Sequence, residues 1–72
     1  MNEPRLIYSC WVNDGGKRRK YNEWSGTSDM SKPTPANQAQ GSLFHEVDTA
    51  TFYAYDETTT SWYKQIELGG AG

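Results

Sequence analysis

Residues 41–68, GSLFHEVDTATFYAYDETTTSWYKQIEL, pass from one apolar and aromatic run to the next through short polar intervals. The runs read as three short antiparallel strands. The intervals at residues 47–52, VDTATF, and 56–61, DETTTS, carry Asp and Thr side chains that accept turn geometry. Two turn signals about ten residues apart predict a β-meander.

The same pattern predicts a hairpin earlier in the chain. Residues 5–12, RLIYSCWV, are rich in β-branched and aromatic side chains. In a strand, Leu6, Tyr8, Cys10 and Val12 share one face and Ile7, Ser9 and Trp11 the other. Both faces are partly apolar, which predicts cover on two sides, within the fold or from another chain. Asn13-Asp14-Gly15-Gly16 follows, and Asp-Gly is a strong hairpin signal because primed turns need residues that tolerate positive φ. Residues 17–24, KRRKYNEW, form the return strand, with Arg18, Lys20, Asn22 and Trp24 on one side and Lys17, Arg19, Tyr21 and Glu23 on the other. A strand so basic suits a sheet edge, where charge blocks edge-to-edge aggregation.

Residues 25–40, SGTSDMSKPTPANQAQ, lose the large apolar side chains, and Pro33 and Pro35 lack the donors a ladder requires. This segment reads as a linker on an extended, polyproline-like path, letting the two halves sit apart or swap between chains. The expected architecture is a small all-β single domain. It comprises an N-terminal β-hairpin (1–24), the linker (25–40), a three-stranded antiparallel meander (41–68) and a flexible glycine tail (69–72).

Composition changes the picture in one respect. A chain of 72 residues buries only about 60% of the surface its unfolded form exposes. Hydrophobic residues are 35% of the chain, but aromatic residues are 14%, and each large ring buries roughly 150–250 Å². The expected core is aromatic, and so small a polar β chain calls for a disulfide, a metal or a partner. Cys10 is the single cysteine and His45 the single histidine, so neither an intrachain disulfide nor a four-ligand zinc site can form. Association with sister copies or a larger assembly remains. The net charge of −2 creates no long-range field toward nucleic acid or an anionic membrane. No apolar run reaches the roughly 20 residues of a membrane span, and Met-Asn-Glu-Pro-Arg does not resemble a signal peptide. A soluble protein folding in a reducing cytoplasm is expected.

At residues 41–65 the chain resembles a short β module of tailed-phage virion proteins. There a run of the form G-[ST]-x-[FY]-x-x-x-D-T-G-x-x-Y-x-[FYW]-[DN] is followed within a few residues by W. Phe44, Asp48, Thr49, Tyr53, Tyr55, Asp56 and Trp62 stand at its positions. The module occurs in tail and head fibres and in small open reading frames of phage structural clusters. One position departs: Ala50 stands where Gly follows Asp-Thr, at a cost on the order of 1 kcal/mol if that residue needs positive φ. Y-x-Y-D…W also occurs in kelch propeller strands, but a propeller needs several blades and this chain shows one unit. The resemblance implies a virion component, present in the host cytoplasm before assembly.

Candidate chemistry is sparse. His45 and Glu46 are adjacent and in a strand point to opposite faces, so they do not form an acid/base pair. Cys10 in an apolar run reads as an inert small hydrophobe. Asp48, Asp56 and Glu57 fall in turns, where carboxylates bond nearby amides, and their spacing gathers too few oxygens for calcium. There is no phosphate-cradling loop, metalloprotease helix or nucleophile elbow. The expectation is a non-catalytic structural or accessory component of a phage particle, with no cofactor or metal. Its core or assembly interface draws on Leu6, Tyr8, Trp11, Phe44, Phe52, Tyr53, Tyr55 and Trp62. Arg18, Arg19 and Lys20 would set orientation against acidic neighbours. Two alternatives compete. The basic run of Lys17, Arg18, Arg19 and Lys20 beside Tyr21, Trp24 and Trp11 has the ingredients of a nucleic-acid surface. Tyr53, Tyr55, Trp62 and Tyr63 could form a carbohydrate-stacking platform.

Overall fold

The computed structural model describes the backbone of residues 3–67 and the side chains of residues 3–65. The glycine tail expected at 69–72 lies outside the described residues. Five strands follow one another: β1 (Arg5–Asp14), β2 (Lys17–Gly26), β3 (Leu43–Glu46), β4 (Thr51–Asp56) and β5 (Ser61–Glu67). They form one sheet in the order β1-β2-β3-β4-β5.

The local predictions describe the pairs well. β1 and β2 form an antiparallel hairpin closed at Asp14 and Lys17, with Gly15 and Gly16 at φ 62° and 87°. Positive φ at both central residues is the primed turn that Asp-Gly favours, because its twist matches that of the flanking strands. β3, β4 and β5 form the antiparallel meander. Its two loops, residues 47–50 and 57–60, are built alike. In each, the residue before the loop takes a hydrogen bond from the threonine at its third position: Thr49 Oγ1 to Glu46 Oε1 at 2.7 Å, and Thr59 Oγ1 to Asp56 Oδ2 at 2.8 Å. Each loop ends on a non-glycine residue with positive φ, Ala50 at 54° and Thr60 at 50°.

The structure corrects the global arrangement. Hairpin and meander are not separate units, because β2 and β3 pair in parallel, Glu23 to Leu43 through Gly26 to Glu46. The result is a single mixed sheet. β2 is therefore an interior strand, not an edge; β1 and β5 lie at the ends of the strand order. At Lys20, the last of the basic run, the strand is paired on both sides, since Lys20 N donates to Asn37 O at 2.8 Å and Ala39 N to Lys20 O at 2.9 Å. Strand side chains stand above and below the sheet, so a run of cations does not obstruct the ladder.

Parallel neighbours cannot be joined by a tight turn, so the chain must cross back over the sheet between β2 and β3. Residues 27–42 make that crossing as a packed segment. Pro33 and Pro35 lack donors, but their carbonyls are acceptors: Gln38 N donates to Pro35 O at 3.1 Å, and Gln38 Nε2 and Trp62 Nε1 donate to Pro33 O at 3.1 and 2.9 Å. Ser28 holds the Asp48 carboxylate through its amide and its hydroxyl, at 3.0 and 2.7 Å. At Gly26 a Cβ would meet Met30 Sδ at 2.8 Å and Phe44 Cζ at 3.0 Å. Close packing of the crossing against β2 thus requires glycine there.

Cross-strand partners share a face, which sorts the side chains in two. The face under the crossing carries Trp24, Phe44 and Tyr53 in one row and Tyr55 and Trp62 in the next. Phe44 is fully buried and Tyr55 nearly so. Trp62 closes this cluster edge-on, its ring 6.0 Å from Phe44 and 5.2 Å from Tyr55. The opposite face carries Tyr8, Cys10, Tyr21, Leu43, His45, Phe52, Ala54 and Tyr63, all half-buried or exposed.

The positive φ at Ala50 and Thr60 yields a direct test. Replacing either by glycine relieves a left-handed conformation and should raise stability by about 1 kcal/mol, and the pair should add because the loops lie at opposite ends of β4. Urea midpoints measure it. Unchanged or lower midpoints would contradict the left-handed geometry of these turns.

Candidate functional site

The predicted interface residues divide between the two faces. Phe44, Tyr53, Tyr55 and Trp62 lie beneath the crossing, whereas Phe52 and Tyr8 lie on the open face. Trp11 and Leu6 are on the crossing side of β1 but beyond its cover, Trp11 at 52% and Leu6 at 43% exposure. Tyr53, Tyr55 and Trp62 are separated from Tyr63, which is opposite Ala54 on the open face. These four rings therefore share no exposed platform.

The open face has its own order. Tyr8 and Tyr21 meet edge to face at 6.4 Å, and the His45 ring lies parallel to Phe52 at 4.4 Å. His45 and Glu46 do point to opposite faces, as strand alternation requires. Tyr21 donates to Glu23 Oε2 at 2.8 Å, and burial together with this carboxylate pushes its phenol up to about 12.

The basic run is split by the same alternation. Arg18 and Lys20 project on the crossing side beside Trp11, with the Arg18 guanidinium carbon 5.4 Å and the Lys20 ammonium 5.6 Å from the ring centre. Arg19 projects the other way. Its Nη1 donates to Ala36 O at 3.5 Å, and its Nε makes a 3.4 Å ion-pair contact with Glu57 Oε1 without hydrogen-bond geometry. Tyr21 also falls on the open face, away from Trp11 and Trp24. The four cations therefore do not act as one patch.

Sequence reasoning missed a set of buried polar residues. Gln38 is the hub: its Oε1 accepts from Asn22 Nδ2 at 3.1 Å and from Trp24 Nε1 at 2.8 Å. Ser42, fully buried, accepts from Asn22 N at 3.1 Å and donates to Ala39 O at 2.9 Å. Lys32 reaches down from the crossing to Glu46 Oε2 at 2.6 Å, its ammonium 4.1 Å from the Tyr53 ring centre and 5.1 Å from that of Phe44. No periodicity marks Lys32, Gln38 and Ser42, because they lie in a segment without regular structure. The lone signal is a lysine just before the two prolines and amide side chains just after them.

Between the crossing and the first two strands lies a groove of about 350 Å³, lined among others by Leu6, Trp11, Lys20, Asn22, Trp24 and Gln38. Its character is an apolar cleft with amide groups inside and an ammonium at its wall. Among the described residues, no group of three or more His, Cys, Asp or Glu is placed to hold a metal ion, and no helix is long and apolar enough to cross a membrane. Comparison with protein-family models, curated proteins and solved structures gives no match.

The Lys32–Glu46 pair carries a pH dependence. Burial pushes the Glu46 carboxyl up, but hydrogen bonds from Lys32 and Thr49 and the Lys32 charge outweigh it, leaving the group below its ordinary 4.5. A carboxyl depressed by folding contributes stability above its unfolded value and loses it as pH falls through the folded value. Asp48, held by Ser28, and Asp56, held by Thr59, are shifted in the same direction. Glu57 is raised by the neighbouring Asp14 carboxyl and works in the opposite sense. Lys32→Met should strand the Glu46 carboxylate and cost about 3 kcal/mol at pH 7. The deficit should shrink as the pH falls below the ordinary value of 4.5 toward the depressed folded value of Glu46. Denaturant titrations of both proteins at pH 7 and pH 3.5 measure it. A deficit below about 1 kcal/mol at pH 7 would mean that water replaces the ammonium.

Proposed function

We propose that the chain is a non-catalytic structural or accessory component of a phage particle, acting by association with sister copies or with a larger virion protein. The observation that supports this reading is the uncovered sheet face. The crossing covers one side of the sheet, and no described segment covers the row of Tyr8, Tyr21, Leu43, His45, Phe52 and Tyr63 on the other. Face-to-face burial of such a row against a second sheet is the ordinary way to complete a core from one layer. The virion setting rests on the resemblance of residues 41–65 to the phage β module. Its motif residues fall at the loop starts and in the covered cluster: Asp48 and Asp56 hold loop or crossing groups, while Phe44, Tyr55 and Trp62 pack together. Arg18 and Lys20, expected to orient a partner, project on the crossing side, away from this face, and Arg19 is engaged with Glu57.

The mass in solution across a dilution series, by light scattering, is the deciding measurement. A discrete oligomer should persist on dilution. Tyr8→Glu with Tyr63→Glu, two half-exposed open-face positions at 53% and 50%, should keep the β circular dichroism and give a monomer. A wild-type monomer throughout, or a double variant that still assembles, would remove association of sister copies through this face.

A further inference from the structure

The groove between the crossing and the first two strands has features that the assembly reading does not use. Two indole rings stand in its wall in different states. Trp24 is fixed, because its Nε1 donates to Gln38 Oε1 at 2.8 Å. Trp11 is half exposed and carries two cations beside its ring, Arg18 and Lys20. Leu6 and Pro35 complete an apolar lining. The cleft is therefore shaped for a flat ring system with a negative charge close to it.

Asn22 adds a specific demand. It lines the groove, is 3% exposed, and its side-chain Oδ1 has no hydrogen-bond partner. Its Nδ2 is already given to Gln38 Oε1, and Gln38 Nε2 is given to Pro33 O. The amide pair is thereby locked in orientation, with an acceptor left over. A buried acceptor without a donor is costly, so a ligand N–H or O–H reaching it is favoured over an apolar ligand. The Lys20 ammonium supplies donors at the wall, suited to an anionic group.

We propose that this groove binds a nucleobase with its attached phosphate. The base stacks on the indoles, a base N–H donates to Asn22 Oδ1, and the phosphate lies against Lys20 and Arg18. A neutral sugar would meet the rings and Asn22 but leave both cations without a role. The required chemistry is shared by a free nucleotide and by a nucleotide within a single strand. Neither source depends on the open face, so the site and the assembly reading stand or fall separately.

Tryptophan fluorescence titration of the full chain at low salt tests it, with AMP, CMP, a short oligo(dA), an abasic oligomer of the same length and a neutral oligosaccharide as probes. The nucleotides or oligo(dA) should bind, and the abasic oligomer and the sugar should not. Trp11→Ala, at an exposed position, should weaken binding about 5- to 150-fold, the measured range for loss of one stacking ring. Lys20→Ala should weaken it and flatten its dependence on salt. An oligo(dA) affinity well above that of AMP assigns the site to single strands, and equal affinities assign it to free nucleotides. Absence of nucleotide binding, equal binding of the abasic oligomer, or full affinity in folded Trp11→Ala would overturn the proposal.

Discussion

The parallel pairing of β2 with β3 is the constraint on which the rest of this fold depends. Had the two strands run in opposite directions, a turn of a few residues would join them and the sheet would have two bare faces. Because they run the same way, residues 27–42 must travel back along the sheet, and a chain lying on a sheet must satisfy its own backbone. It does so with proline carbonyls that accept from Gln38 and Trp62, and with amides that donate to the sheet's own carbonyl and carboxylate groups. The crossing thus supplies the second layer that a helix would supply in a larger protein. Phe44 and Tyr55 are buried as its direct result.

A crossing of this composition has little apolar surface with which to hold itself down, since residues 27–42 contain one methionine, two alanines, two prolines and no aromatic ring. Polar attachment takes that role, with two side-chain clusters prominent. Gln38 joins Asn22 and Trp24 at one end, and Lys32 joins Glu46 above Phe44 and Tyr53 at the other. Such attachments are directional, so they fix position as well as contributing stability. They also make the layer vulnerable: removing one partner leaves a buried charge or amide without compensation, which costs more than the intact pair contributes.

Most of the local structure was legible in the sequence, because it is governed by short-range rules. Asp14-Gly15-Gly16 specified its turn through φ, and the intervals at 47–52 and 56–61 marked two turns, while their common design and the positive φ at Ala50 emerge only from the fold. What could not be read was pairing across a distance. The basic run looked like an edge because cations are common there, yet strand alternation sends Arg18 and Lys20 to one face and Arg19 to the other, leaving the backbone free to pair twice. The segment around Pro33 looked like a spacer because it lacks the periodicity that marks a buried surface. Its burial is carried by single polar atoms, and these leave no pattern. For the same reason the groove was only half visible: Trp11, Lys20 and Trp24 stood out as types, whereas Asn22 and Gln38 acquire meaning only when the crossing brings them together.

Under the proposed assembly, the irregularities of the outer ladders favour docking at a face over pairing at an edge. At one end of the sheet, β1 shows Leu6, Ile7 and Tyr8 as exposed large side chains and would be a template for another strand. Its ladder, however, is broken by an irregularity between Leu6 and Tyr8, which bends the strand and unsettles a long flat register. A second irregularity interrupts the β4–β5 ladder between Phe52 and Tyr53, near the other end. The interior of the open face lies away from both interruptions: Tyr21, Leu43 and His45 sit at regularly paired positions. With strands about 4.8 Å apart, five of them present a surface roughly 19 Å across, broad enough to receive a second sheet. A partner seated on it binds the folded chain and not the unfolded one, so it would stabilise a protein whose own covered core is small.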